Sequence, residues 1–212
     1  MQIKWHGHAC FEIRTGLRLV IDPHDGRSIG LKTPKLRADY VLITHDHFDH
    51  NATRVVEGAF KVIKGPGTYS LPGGIKIKGI EAYHDTVQGA KRGKITMYRI
   101  DSESMHMLHT GDLGHILPEN IVEEIGTVDV LFIPVGGTYT LDAKQAYEVV
   151  KELNPKVVVP MHYKIPGLTL GLAPVEEFLK MFPSESISFV GNSVEFFRED
   201  LPNNTEVWVF NL

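Results

Sequence analysis

The segment Thr44-His45-Asp46-His47-Phe48-Asp49-His50 places four candidate metal ligands, His45, His47, Asp49 and His50, within six residues. Neutral imidazole and ionised carboxylate suit zinc, and also iron or manganese; no cysteine stands near, which argues against a thiolate site. His45 and His47 are two apart, so in extended backbone their rings project to the same side. Asp49 and His50 follow in the turn beyond, and one strand end can therefore serve two adjacent cations. A lone His-x-His pair would read as polar loop. The density here favours a catalytic centre, in which divalent cations lower the pKa of bound water from about 15.7 to near 7 and neutralise a developing oxyanion.

The run DYVLITH leading into this cluster is continuously apolar and reads as a buried strand. Upstream, residues 2–14 alternate apolar or small with polar side chains, the period of a half-buried strand, and LRLVID follows a Thr-Gly turn as a second strand. Residues 23–38 are rich in Pro, Gly and charge and read as a loop, whereas Asn51 to Glu57 reads as a short helix. FKVIKG, GIKIKGIEAYH and KITMYRID are further strands punctuated by glycine. Beyond residue 104 strands alternate with helices: SMHMLHTGD, PENIVEEIG, VDVLFIPV, DAKQAYEVVKEL and KVVVPMH. In the longest helix Asp142 is the expected N-cap with Gln145 three residues on, and Asn154-Pro155 stops it. PVEEFLKMF reads as a short helix, and ISFV, VEFF and TEVWVF as closing strands.

The 212 residues are 42% hydrophobic with a net charge of −4, enough for a single domain spanning 1–212 and unlike a disordered or strongly basic chain. Bulk charge gives nucleic-acid binding no support, although it does not exclude a local cationic groove. The single cysteine, Cys10, rules out an internal disulfide framework. No run approaches the roughly 18 apolar residues needed to span a bilayer, and MQIKWHGHACFEI lacks the pattern of a signal peptide. The expectation is a cytoplasmic protein away from membranes, acting on a small molecule; a homo-oligomer is compatible with the sequence.

His-x-His-x-Asp-His after a strand resembles the signature of the metallo-β-lactamase superfamily. The likeness continues through His84 at the end of GIKIKGIEAYH, Gly111-Asp112 in LHTGDLGH and His162 in VVVPMHYK. A narrower likeness is to small metal-dependent hydrolases of that superfamily sharing GHACF, Asp-Pro, PVGG with Tyr-Thr, and PMHY. Here these are Gly7 to Phe11, Asp22-Pro23, Pro134 to Thr140 and Pro160 to Tyr163. Ascorbate 6-phosphate lactonase is a more distant relative. The resemblance implies an α/β fold, an αββα four-layer sandwich of two mixed sheets with helices on the outer faces. It implies two divalent metal ions, zinc first with manganese or iron as alternatives. His45, His47 and His84 would hold one, Asp49, His50 and His162 the other, and Asp112 would bridge.

The activity so implied is hydrolysis of a small anionic ester, lactone or phosphodiester by metal-activated hydroxide. A nuclease and an iron-dependent redox protein of the same fold are the alternatives. Asp49 and His50 are candidates to relay a proton to the leaving group. Asp22 either orients a ligand imidazole or forms a turn before Pro23. His8 either contacts substrate or lies on a polar strand face, and His115 either assists a leaving group or belongs to a surface loop. His109 reads as a supporting strand residue; His6, His24 and His106 have no motif partner. Tyr139, Thr140 and Lys164, beside PVGG and PMHY, are candidate pocket residues, and Gly136 and Gly137 permit a tight loop. Residues 23–38 and 163–173 are the expected pocket walls.

Overall fold

The computed structural model describes residues 1–212. The first third supplies β1 (Gln2–Trp5), β2 (Phe11–Thr15), β3 (Leu17–Ile21), β4 (Leu36–Arg37), β5 (Tyr40–Ile43), β6 (Val56–Glu57) and β7 (Lys61–Lys64). There follow β8 (Gly67–Ser70), β9 (Lys76–Tyr83), β10 (Lys94–Ser102), β11 (Met105–His109) and β12 (Val130–Pro134). The chain closes with β13 (Val157–Met161), β14 (Ile187–Phe189), β15 (Ser193–Glu195) and β16 (Glu206–Val209). Helices α1 (Glu119–Ile125), α2 (Ala143–Leu153) and α3 (Glu176–Leu179) all fall in the second half.

Two mixed sheets pack face to face. One has the order β15-β1-β2-β3-β5-β7, the other β14-β16-β13-β12-β11-β10-β9-β8. Alternation decides which side chains meet between them: Leu19, Ile21 and Leu42 join the large shared core, whereas Val20, Val41 and Ile43 point to the opposite face. Phe11 meets Phe132 of the other sheet edge to face at 4.7 Å between ring centroids.

The outer layers are unequal. Ala146, Val149, Val150 and Leu153 of α2 are buried in the large core over the eight-stranded sheet, and α1 is tied to it through Arg99, which donates to the Ile125 carbonyl. The helix ends where expected: Asp142 accepts from Gln145 N at 2.8 Å, the Gln145 side chain accepts from Asp142 N, and Asn154 closes it in the left-handed conformation. Over the six-stranded sheet lies the β4–β6 ribbon, whose Leu36 and Val56, with Val55 and Phe60 beside them, cover Cys10, Val20, Val41 and Ile43.

Two local readings change. The alternating run 2–14 is a hairpin rather than one strand: β1 pairs with β2 in register Trp5 to Phe11, and residues 6–10 form the turn. Both arms keep the same parity, so the period runs unbroken through the reversal. The expected helix over Asn51 to Glu57 is one 3-10 turn, Thr53–Val55. Ala52 N is held by the Pro23 carbonyl, and Val56 must extend to pair with Leu36, so the chain has no room for a second turn.

Candidate metal centre

Five strands running the same way in their sheets end at one edge of the sandwich, and each is followed by a residue of the donor cluster or its support. Asp22 follows β3, His45 lies just beyond β5, His84 follows β9, Asp112 lies beyond β11, and His162 follows β13. Loops beyond the carboxyl ends of parallel strands are where α/β sheets hold ligands. Two of these positions, Asp22 and His162, carry backbone strain, as does His8 at the hairpin tip, with φ of 47°, 53° and 56°. Non-glycine residues held in this region cost about 1–3 kcal/mol each and persist where the surroundings fix them. Two glycines make the convergence sterically feasible. A Cβ on Gly136 would lie 2.2 Å from the His162 carbonyl oxygen, and one on Gly114 2.4 Å from the His84 backbone.

The donor atoms gather in two adjacent quartets, each with all members within 4.8 Å of one another: His45, His47, His84 and Asp112, and His8, Asp49, His50 and His162. Asp112 stands between them. Its Oδ1 is 3.2 Å from His50 Nε2, and its Oδ2 is 3.2 Å from His84 Nε2 and 3.3 Å from His162 Nε2. All seven residues expected from the motif pattern thus come together, and His8 joins them.

Supporting contacts orient the rings. Asp22 accepts from His50 Nδ1 at 2.8 Å and from the Thr44 hydroxyl and amide at 2.6 and 2.8 Å, which favours its orienting role over a bare turn. His8 Nε2 donates to Asp49 Oδ2 at 3.0 Å. The His8 carbonyl in turn accepts from Trp5 Nε1, locking the hairpin tip. His109 accepts from Gly111 N and donates to the Ala9 carbonyl, a supporting role as its position suggested.

Protonation follows from burial set against charge. Desolvation would lower the pKa of His50, but Asp112 and Asp22 on either side push it well above its ordinary value. Burial raises Asp112, yet His162 and His50 overcome it and hold the carboxyl well below the usual range. Desolvation, reinforced by neighbouring imidazoles, drives His8 and His45 down to about 3, so both rings are neutral. The neutral His45 ring and the ionised Asp112 are in the states a divalent cation requires, and a cation binding at His50 would displace the proton that its two carboxylate neighbours favour. The fit has a second sign: His50 Nε2 and Asp112 Oδ1 are buried and lack a hydrogen-bond partner, although only 3.2 Å apart. Buried polar atoms are rarely left so, and a cation between these groups would satisfy both. The donor set of imidazole and carboxylate suits zinc, manganese or iron; Cys10 is buried in the outer cluster, apart from it.

A cavity of about 250 Å³ opens onto the cluster, lined among others by His47, Asp49, Tyr139 and Leu170. One expectation, Lys164, is corrected, and two open alternatives, His8 and His115, are narrowed. His8 is fully buried and does not line this cavity, so it does not reach substrate. Lys164 turns its ammonium to the Leu168 and Leu170 carbonyls and clasps its own loop, since the turn after His162 aims it away from the opening. His115 accepts from Tyr83 N at 3.2 Å and donates to the Ile116 carbonyl; both nitrogens are committed to backbone, and the ring does not line the cavity. Of the expected walls, 163–173 contributes Leu170, whereas 23–38 packs beneath it through Ile29 against Leu168 and Leu172. Thr140 is held at the Leu141 carbonyl and does not line the cavity.

Two residues with no sequence signal matter here, Asp85 and Arg92. Asp85 accepts from four backbone amides, Val87, Gly89, Lys91 and Arg92, at 2.8–2.9 Å, and so shapes the loop after His84. Arg92, on that loop, lines the cavity and lies 4.6 Å over the Tyr139 ring.

Residues 2–162 match the beta-lactamase superfamily domain. A UPF0173 metal-dependent hydrolase of Thermoplasma acidophilum is 30% identical over 186 residues, covering 77% of this chain and 83% of that protein. A crystal structure from Thermotoga maritima, assigned to the zinc-dependent hydrolases of the metallo-β-lactamase superfamily, superposes with a TM-score of 0.82. It is 42% identical and covers 99% of this chain and 97% of its own. Igni18, a metallo hydrolase from Ignicoccus hospitalis, shares the fold at a TM-score of 0.68 and 24% identity, over 92% of this chain and 98% of its own. The chain belongs to the metallo-β-lactamase superfamily and, within it, to the UPF0173 group. No helix is long and apolar enough to cross a membrane.

Proposed function

We propose that the protein is a metal-dependent hydrolase with a dinuclear centre, most consistent with zinc, acting on a small anionic ester, lactone or phosphodiester. The observation that carries this reading is Asp112, whose two carboxylate oxygens face imidazoles of both quartets at 3.2–3.3 Å. His45, His47 and His84 would hold one cation, Asp49, His50 and His162 the second, with Asp112 shared. When bound, the pair supplies Lewis-acid polarisation of the scissile group and a nucleophile at neutral pH.

The protein's own groups then divide the remaining work. Asp49 lines the cavity, so in this proposal it alone passes the proton to the leaving group. His50, the other residue expected to do so, is fully buried, with Nδ1 donating to Asp22 and Nε2 turned to Asp112. It is a ligand and not a relay. His8 is a positioning residue: by occupying one Asp49 oxygen it fixes how the carboxylate is presented to the second cation and the cavity.

The test is elemental analysis of the purified protein, followed by chelation, reconstitution with zinc, manganese or iron, and a screen of lactones, phosphodiesters and thioesters. Two equivalents of metal and turnover that is lost on chelation and restored on reconstitution are expected. Chelator-insensitive turnover would reject the reading.

A further inference from the structure

Two cavities meet at Arg92. One is the 250 Å³ opening above the donor cluster; the other, of about 410 Å³, runs along the His45 and His47 side, and Arg92 and His47 line both. Three cations border them. Lys64 is paired with Asp46 and Lys94 with Glu81, whereas the Arg92 guanidinium has no acidic partner. Arg92 is exposed, but its backbone and its guanidinium each have one orienting contact. The Arg92 amide donates to Asp85 at 2.8 Å, one residue from His84, and its guanidinium stacks over Tyr139. An uncommitted guanidinium beside a hydrolytic centre is matched in geometry to a carboxylate or phosphate, which it can grip with two parallel hydrogen bonds.

The same opening has an apolar wall. Phe48 is 57% exposed although it sits within the metal-binding motif, and it lines the cavity with Tyr139 and Leu170. Nothing in the fold covers this ring. An exposed aromatic face and an unpaired cation lining one opening suit a ligand with both characters.

We propose that Arg92 is the specificity-determining residue of this site. It binds an anionic group, carboxylate or phosphate, of a substrate whose apolar or aromatic portion lies against Phe48, Tyr139 and Leu170. The assignment rests on the hydrolase reading for the bond that is cut, and it names the substrate class: an amphiphilic monoester or lactone with a free anionic end.

The test is calorimetric titration of zinc-loaded protein with N-phenylsuccinamic acid and with N-phenylbutanamide, a matched pair differing in the carboxylate. The wild type should favour the acid by about tenfold or more, as expected for a charge-assisted contact. Arg92→Ala should collapse that ratio, and Arg92→Lys should restore it only in part. Phe48→Ala should weaken both probes alike. Phenyl phosphate, run in parallel, separates the two anion types: the larger loss on Arg92→Ala identifies the one the site prefers. An absent preference in the wild type, or a preference that survives Arg92→Ala, overturns the proposal. Neither amide has to be turned over, so failure of the hydrolase screen with the ratio intact would reject the hydrolase and retain the anion site.

Discussion

The two donor quartets differ in what they spend on themselves. In the first, His45, His47, His84 and Asp112 belong to loops at strand ends, and His47 is half-exposed and lines both cavities. In the second, all four side chains are buried, and one of them, His8, gives its Nε2 proton to Asp49. That nitrogen then has no lone pair to offer. In the proposed centre the second group is therefore three ligands and a prop, the prop brought in by a hairpin tip at the same edge as Asp22, since Phe11 pairs with Ile21. The lesson is that equal distances do not make equal roles: the hydrogen's position separates a ligand from the residue that aims one.

The largest effect should come from the residue common to both groups. If the proposed dinuclear centre holds, Asp112→Asn replaces its shared carboxylate by a neutral amide whose nitrogen cannot ligate, so both metals should be lost and turnover should fall to the background rate. His84→Ala should remove one equivalent of metal and leave the other. Elemental analysis of the two variants distinguishes the cases, and retention of two equivalents by Asp112→Asn would remove the shared-ligand reading.

The next effect separates the ligand from its prop. His8→Ala should weaken the second metal about 10–100-fold, the usual cost of deleting a group that orients a ligand. His8→Gln, whose amide can donate to Asp49, should recover most of that. A competition titration against a chromogenic chelator measures both. If His8→Gln is as poor as His8→Ala, His8 binds metal directly.

How far the sequence could lead depended on local density. His45, His47, Asp49 and His50 are legible because four donors in six residues have no cheaper explanation, and the strand before them is a plain apolar run. His84, Asp112 and His162 are single residues, legible only through the resemblance to the superfamily pattern, by their place after strands. His8 was ambiguous because odd-position alternation passes through the hairpin without a break, hiding the turn that points its ring inward. Lys164 misleads, and His115 stays open, because nearness in sequence to a motif says nothing of direction: each faces a backbone carbonyl at its own turn. Asp85 and Arg92 lie in a stretch of Gly, Lys and Arg without periodicity, and only the folded loop shows four amides meeting one carboxylate. The sandwich was expected from the resemblance; the thin ribbon over one sheet was not, because β4 and β6 are two residues each.

A smaller effect probes how the second group is held. Gly136→Ala places a methyl within 2.2 Å of the His162 carbonyl, so the β13 loop must shift. Overpacking of this kind costs about 1–3 kcal/mol, and the thermal midpoint should fall accordingly. The metal held by His162 should weaken while the one at His84 stays. Equal weakening of both would mean that the two groups move as one unit.

The smallest effect falls on the first group, through the loop that follows His84. Asp85→Asn keeps the size of the side chain but loses charge-assisted acceptance from four amides, so the loop carrying Arg92 should loosen with little change in metal content. Hydrogen exchange at Val87, Gly89, Lys91 and Arg92 should quicken in the variant, and the preference for anionic over neutral probes should drop severalfold. The wild type gives the pH counterpart. Although desolvation raises it, the four amides pull the Asp85 carboxyl down to about 2, below its ordinary value of 3.8. A depressed folded pKa means that the loop's stabilisation is complete above about pH 4 and decays only as pH falls toward 2. Exchange protection should therefore be flat across the neutral range; protection that already fails near pH 6 would show that a group other than Asp85 holds the loop.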